Sequence, residues 1–328
     1  MSLSLEVAVE SFPIAGAFTI SRGSRTEAIV VAVTLSDGRV KGRGECVPYA
    51  RYGETVDGVV AAIRSVEPHL ARPGFDRARL AEALPAGAAR NALDCALWDL
   101  EAKRDGHPVA ERLGLAGTTP LVTAYTLSLG TPESMAEKAR EAAHRPLLKV
   151  KLGGDGDAER IAAVRAGAPT SRLIVDANEA WREANLATNL AACTAAGVEL
   201  IEQPLPAGDD AVLKGLATPI ALCADESLHT LSDLAPLRDR YTAINIKLDK
   251  AGGLTEALAM AAEAKRLGYR IMIGCMVGTS LAMAPAALIA RVADFVDLDG
   301  PLLLARDRIP GIRYDGSAMY PPDPALWG

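Results

Sequence analysis

LLKVK at 147–151 is followed by LIVDA at 173–177, VELIE at 198–202, IALCAD at 220–225 and AINIK at 243–247, short apolar runs separated by Ala- and Glu-rich stretches. VTAYTL at 122–127 precedes the series, and RIMIG at 270–274 and FVDLD at 295–299 continue it, giving eight strand candidates at a repeat of roughly 22 to 28 residues. Strand and helix alternating in this way predict a parallel sheet, and eight units suit a closed barrel better than a doubly wound sheet. No glycine fingerprint follows the first strand, which argues against a dinucleotide site. No convincing helix follows the eighth strand. The expected fold is α/β, a (β/α)7β TIM-type barrel.

Ahead of the barrel the texture differs. Residues 5 to 46 alternate apolar with polar, as in LEVAVESF, AIVVAVTL and VKGRGEC, with Asp37-Gly38 as a hairpin turn, and read as a small antiparallel sheet. Apolar positions three and four apart at 56–71, 76–84 and 88–104 mark three amphipathic helices, and Gly114, Gly117 and Pro120 punctuate their end. The expected organisation is an N-terminal α+β cap over 1–117, the barrel over 118–305, and a C-terminal segment over 306–328 that returns to the cap.

The chain has 328 residues, 49% hydrophobic and 23% charged, as a folded globular protein should. Its 35 Lys and Arg against 41 Asp and Glu leave a net charge of -6, the wrong sign for a partner of nucleic acid. The cysteines, Cys46, Cys95, Cys193, Cys223 and Cys275, are scattered without a C-x-x-C pair, so neither a disulfide nor a zinc framework is indicated and a reducing compartment fits. Apolar runs fall far below the ~20 residues needed to cross a bilayer. The beginning of the chain has no basic, apolar leader, and a cytoplasmic protein without membrane partners is expected. A homo-oligomer remains compatible with the composition.

Five of the expected strands end in charge: Lys151, Asp176, Glu202, Asp225 and Lys247, at intervals of 25, 26, 23 and 22 residues. A charge after one strand is usually a solvated loop residue or a helix cap. Five in register at the C-terminal rim of a barrel, where active sites are built, point to chemistry. Three adjacent carboxylates repel one another, and a cation is the natural remedy. All-oxygen ligands select a hard ion, so Asp176, Glu202 and Asp225 are candidate ligands of Mg2+, which keeps open positions for water and substrate. Charge so placed would stabilise the enediolate formed when a proton leaves the carbon next to a carboxylate. Lys151 and Lys247 would flank that carbon from two faces as acid and base. A lysine is ordinarily protonated at neutral pH, and Lys149, on the same strand face as Lys151, is expected to lower its neighbour's proton affinity by like charge.

LLKVKLGG, IVDANEAW, LIEQPLP, CADES and NIKLDKAGGLTEAL together resemble the enolase superfamily, in its muconate-lactonizing-enzyme subgroup, over nearly the whole chain. A lysine base with Mg2+ is that superfamily's general pattern. The resemblance implies a capped barrel, Mg2+ with Mn2+ as a substitute, and an isomerase. Within the subgroup, FVDLDGPLLL and GCMVGTSLAMAPA look like the dipeptide epimerases of murein peptide metabolism. The implied reaction is a two-base 1,1-proton transfer that inverts the α-carbon of the C-terminal residue in substrates such as L-Ala-L-Glu and L-Ala-D-Glu. Asp297 and Asp299 would hold the dipeptide's α-ammonium, which two carboxylates suit. Arg22 and Arg25, around Gly23 in the stretch matching the family's capping loop, would offer a fork to a substrate side-chain carboxylate.

Asn178 and Glu226 are expected to orient the metal ligands through hydrogen bonds. Thr126 ends the first barrel strand and either reaches substrate or packs. Lys250 falls beyond its strand and is expected in solvent or behind the ligands. Tyr49 and Tyr52 follow a cap strand and are candidates for the substrate entrance. GGDGDAER at 153–160 reads as turn chemistry rather than a phosphate cradle, since its Asp residues oppose an anion. His69, His107, His144 and His229 lie away from strand ends, where neither a zinc triad nor a His base assembles. The same scaffold also allows a muconate cycloisomerase or o-succinylbenzoate synthase-like reaction, and a barrel with rim lysines allows a Schiff-base aldolase.

Overall fold

The computed structural model describes residues 3–72 and 74–328; Met1, Ser2 and Pro73 lie outside the described residues. Two long strands, Ser4–Ile20 and Gly23–Ser36, pair antiparallel and form an arm, with a register shift between Pro13 and Phe18. Proline offers no N–H to a ladder, which suits the break there. A third strand, Lys41–Cys46, joins after a turn in which Asp37 Oδ1 accepts from Arg39 N (2.9 Å) and Val40 N (3.0 Å). Val31, Val33 and Leu35 are buried in one cluster with Ala92, Leu93, Ala96 and Leu97 of the helix Ala88–Asp105. That close approach requires glycine. A Cβ on Gly44 would stand 2.0 Å from Ala92 O, and one on Gly42 2.2 Å from Ala96 O. The helix expected over 56–71 is split into Val56–Ser65 and Glu67–Leu70, since Pro68 fits only the first turn of a new helix.

The barrel strands are Tyr125–Leu127, Leu147–Lys151, Arg172–Asp176, Val198–Glu202, Ala221–Ala224, Ala243–Lys247, Arg270–Gly274 and Phe295–Asp297, hydrogen-bonded in chain order and parallel throughout. Ala124 N donating to Val296 O (2.8 Å), and Leu298 N to Thr123 Oγ1 (2.9 Å), join the last strand to the first. The repeats are unequal. The fourth carries only the single turn Ala211–Leu213 and the fifth only two short consecutive turns, Leu231–Asp233 and Leu234–Leu237, in segments interrupted by Pro204, Pro206 and Pro236. VTAYTL is not one strand either. Leu121–Val122 pairs antiparallel with Ala318–Met319 in a separate small sheet, and only Tyr125–Leu127 joins the barrel.

Leu147, Ile174, Leu200, Ala221, Cys223, Ala243, Met272 and Phe295 pack as a buried layer inside the barrel. The period of two along a strand therefore aims Lys149, Lys151, Asp176, Glu202, Lys247 and Asp297 inward above that layer, at the C-terminal ends. The tail laces back to the cap: Trp327 Nε1 donates to Cys95 O (3.0 Å), Gly328 N to Asp99 Oδ1 (2.7 Å) and Arg43 Nη2 to Leu326 O (2.6 Å). No helix among the described residues is long and apolar enough to cross a membrane.

Replacing Gly44 by Ala forces the cap helix off its strand and should lower stability by about 3 kcal/mol in urea unfolding. A loss below about 0.5 kcal/mol would mean the contact yields without cost.

Candidate active site

Four lysines and four carboxylates interlock at the barrel mouth. Lys149 Nζ lies 2.6 Å from Glu202 Oε2, 2.6 Å from Asp297 Oδ2 and 3.3 Å from Asp176 Oδ2. Lys151 Nζ meets Asp176 Oδ2 at 2.6 Å. Lys247 Nζ lies 2.6 Å from Asp225 Oδ2 and 3.7 Å from Glu202 Oε1. Lys250 Nζ donates to Asp225 Oδ1 at 2.5 Å. All eight side chains are buried. Asn245 Nδ2 fixes Glu202 Oε1 at 2.7 Å, and Gln203 Oε1 fixes the Asp225 backbone N–H at 2.9 Å.

Burial disfavours the ammonium of Lys149, but Asp297, Glu202 and Asp176 outweigh it and hold the proton well above the ordinary lysine range. Asp225 and Glu202 do the same for Lys247. Three carboxylates already engage the Lys149 ammonium. Burial, then the charge of Asp176, pushes Glu202 up to about 8, and Glu226 and Asp299 rise to about 7, by burial and next by Asp225 and Asp297 respectively. Asp225 is held far below the usual range, against its burial, by Lys247 and Lys250.

Among the described residues no three carboxylates stand as a preassembled cage, because lysine ammonium groups lie between them. The residues nevertheless fit a hard divalent cation. Asp176, Glu202 and Asp225 end adjacent strands, all their donors are oxygen, and the buried Glu202 Oε2 makes no hydrogen bond beyond its ion-pair contact with Lys149 Nζ (2.6 Å).

A cavity of about 410 Å3 lies between this cluster and the arm. Lys151 and Lys247, from the second and sixth of eight strands, enter it from opposite sides together with Asp225, Asn178 and Glu226. The arm contributes Arg22 and Arg25. Arg22 is engaged: Nη2 donates to Glu226 Oε1 (2.8 Å) and to Tyr49 Oη (3.0 Å), and Nη1 to Asn178 O (2.9 Å). Arg25 has no ion pair among the described residues and lies 5.6 Å from the Tyr49 ring. Asn178 Oδ1 and Glu226 Oε2 are buried without hydrogen bonds. Thr126, Lys149, Asp297 and Asp299 do not line the cavity. Asp299 Oδ2 instead accepts from Thr126 N (2.7 Å).

Two family descriptions match the chain, "Mandelate racemase / muconate lactonizing enzyme, N-terminal domain" over residues 3–114 and "Enolase C-terminal domain-like" over residues 134–315. The chain belongs to the enolase superfamily. Within this superfamily it is 48% identical to L-Ala-D/L-Glu epimerase of Escherichia coli over 319 residues, 97% of this chain and 99% of the relative. It is 47% identical to N-acetyl-D-glutamate racemase of a Pseudoalteromonas species, over 91% of this chain and 95% of the relative. A crystal structure from Agrobacterium tumefaciens superposes with a TM-score of 0.97 at 56% identity, covering 99% of this chain and 100% of that one. It is described as an enolase family member with homology to dipeptide epimerases, with bound sodium, L-Ala-L-Glu and an ordered loop. Dipeptide epimerases from three other organisms, 26% to 32% identical, are solved as complexes with Mg and a dipeptide.

In this superfamily member the strand-end pattern singled out residues that the fold gathers, but it missed others. Lys250, expected in solvent or behind the ligands, takes the second of these places: it is buried and grips Asp225, because the single turn Leu248–Ala251 swings it inward. Its only signal was a spacing of three from Lys247. Asn245 was legible by alternation, two residues before Lys247 on the inward face. Tyr49 lines the cavity, whereas Tyr52 packs edge-on against His229 at 4.6 Å.

Asp249, on the same turn, accepts at Oδ1 from Val47 N (3.1 Å) and Asn91 Nδ2 (2.8 Å) of the cap. Burial pushes its carboxyl up to about 7. The folded chain thus holds a proton that the unfolded chain, with a value near 3.9, has released. Its stabilising contribution is complete below pH ~4 and lost as pH rises through 7. Asp249→Asn should exceed the wild type in stability at pH 8, by on the order of 3 kcal/mol, with the gap closing toward pH 4. A gap independent of pH in urea unfolding would contradict this.

Proposed function

We propose that this chain is a Mg2+-dependent dipeptide epimerase that inverts the α-carbon of the C-terminal residue of substrates such as L-Ala-L-Glu and L-Ala-D-Glu. One observation carries the reading: Lys151 and Lys247 enter the same cavity from opposite walls, with carboxylates between them. A proton removed on one face can then be replaced on the other, and the configuration inverts.

Asp176, Glu202 and Asp225 would hold the ion. Bound there, Mg2+ supplies positive charge to the substrate carboxylate and stabilises the charge that develops on deprotonation. Asp225 and Glu202, already shared with Lys250 and Lys149, would then be shared with the ion too, which weakens the hold of Lys247 on its proton. Lys149 and Lys250 stay as fixed positive charges behind the ligands. Arg25, free of an ion pair and facing the cavity, is the group that suits a substrate γ-carboxylate. The proposed setting is the cytoplasm and the turnover of murein peptides.

A second reading is favoured by one feature. Asp297 is paired with Lys149 and Asp299 with the Thr126 backbone, and neither lines the cavity, so the cavity offers an α-ammonium little. An N-acyl glutamate, which has no ammonium, would suit that arrangement. The relative that racemises N-acetyl-D-glutamate gives this alternative weight.

In D2O with Mg2+, the protein should exchange the α-proton of L-Ala-L-Glu and L-Ala-D-Glu, seen by mass spectrometry, while Lys151→Ala and Lys247→Ala each lose about 1000-fold from opposite stereoisomers. Absence of exchange with every dipeptide removes the proposal. Asp297→Asn should impair dipeptide exchange and spare N-acetylglutamate, and wild-type turnover of N-acetylglutamate well above that of either dipeptide favours the second reading. Added MgCl2 should raise the Tm of the wild type but not of Glu202→Gln.

A further inference from the structure

Two carboxylates hold Arg22 at the tip of the arm: Glu226 Oε1 accepts from Nη2 (2.8 Å), and the partly buried Glu179 ties Arg22 to the cap loop as well. Glu179 Oε2 accepts from Arg22 Nη1 (3.1 Å) and from Arg51 Nε (2.7 Å), while Oε1 accepts from Arg51 Nη2 (2.7 Å) and Ala207 N (2.8 Å). Three separate segments meet there: the arm, the cap loop after the third cap strand, and the loop after the fourth barrel strand. The Glu179 side chain is only 9% exposed, so water and salt screen these pairs less than they would at a surface. The Arg51 contact has the parallel two-point geometry that makes guanidinium and carboxylate bind most firmly.

The backbone beneath this cluster is itself unusual. Asn178 and Glu179 have φ of 44° and 67°, in the left-handed region that a Cβ disfavours. Asn178 N donates to Asp176 Oδ1 (2.9 Å), so the turn starts from a strand end the barrel holds rigidly. The two left-handed residues turn the Asn178 carbonyl and the Glu179 carboxylate up toward the arm. Ser21 Oγ and Arg22 Nη1 donate to that carbonyl at 3.0 Å and 2.9 Å. Strain of this kind persists where surrounding bonds over-determine it. Apart from Glu179 and the Arg22–Glu226 pair, the distal arm meets the barrel through few polar contacts: Leu129 N donates to Thr19 O (3.0 Å), Thr19 N to Ser128 Oγ (3.3 Å), and Ser128 Oγ to Ala17 O (3.4 Å).

We infer that Glu179 is a positioning residue: by binding Arg22 and Arg51 together it fastens the arm and the cap loop over the barrel mouth, and thereby fixes where Arg25 stands in the cavity. It touches no reacting atom. Arg22 is thereby committed to the fastening, which leaves Arg25 as the arm's available cation. The inference rests on the epimerase reading only for its kinetic consequence.

Trypsin under native conditions reads the fastening directly, because the bonds after Arg22 and Arg25 lie at the arm tip. Glu179→Gln keeps the shape and removes the charge, and should be cut there roughly tenfold faster than the wild type at unchanged Tm. Arg51→Gln, at a partly exposed position, should do the same, and it decides the matter should Glu179→Gln fail to fold. KM for the dipeptide should rise roughly tenfold while kcat stays within about twofold, a split that general loss of structure would not produce. Equal cleavage of wild type and variants at the arm tip overturns the inference. Faster cleavage in a protein that turns over no dipeptide leaves the fastening standing and removes the epimerase reading instead.

Discussion

Buried carboxylates gathered at the mouth of one barrel are the constraint on which the rest of the structure depends. Asp176, Glu202, Asp225 and Asp297 each carry charge that burial penalises by several kcal/mol if left alone. The interleaved ammonium groups of Lys149, Lys151, Lys247 and Lys250 make that burial tolerable. Every lysine is in turn held by a strand or by the turn that follows one. The cluster is therefore sensitive to register: a one-residue slip of any strand would turn its charged group into the helical layer.

Much of this was legible in the chain. The even spacing of LLKVK, LIVDA, VELIE, IALCAD and AINIK reported both the barrel and the inward direction of its terminal charges, since strand alternation and the repeat length depend on local sequence alone. What escaped depended on contacts distant in sequence. Nothing local says that Lys149 pairs with Asp297, 148 residues away, or that Lys250 turns inward. Glu179 lay within the quoted motif IVDANEAW, yet its value to the arm rests on Arg22 and Arg51, over a hundred residues earlier. The weak fourth and fifth helices were announced by Pro204, Pro206 and Pro236, a signal outvoted by the regular period.

The third cap strand splices cap to barrel. Glu45 accepts from Thr279 N (2.8 Å) and Arg308 Nη2 (2.7 Å), and two residues on Val47 N donates to Asp249. Thr279 and Asp249 lie close to the ends of barrel strands, so the wall the cap lends to the cavity is registered against the lysines by hydrogen bonds, and not by apolar packing alone. Gly42 and Gly44, on the same strand, let the cap helix back it at close range. One short strand thus carries the helix contact, the barrel contact and a cavity wall.

The joint between the first and eighth barrel strands is thin. Each strand has three residues, and Ala124 to Val296 with Thr123 to Leu298 do most of the joining. Local breathing costs least where few bonds must part together, so hydrogen exchange of backbone amides should be quickest along this seam. Asp299 spans it through Thr126 N, and Asp297 sits at its edge. The two acids most removed from the cavity thus ride on the most pliant stretch of the barrel wall.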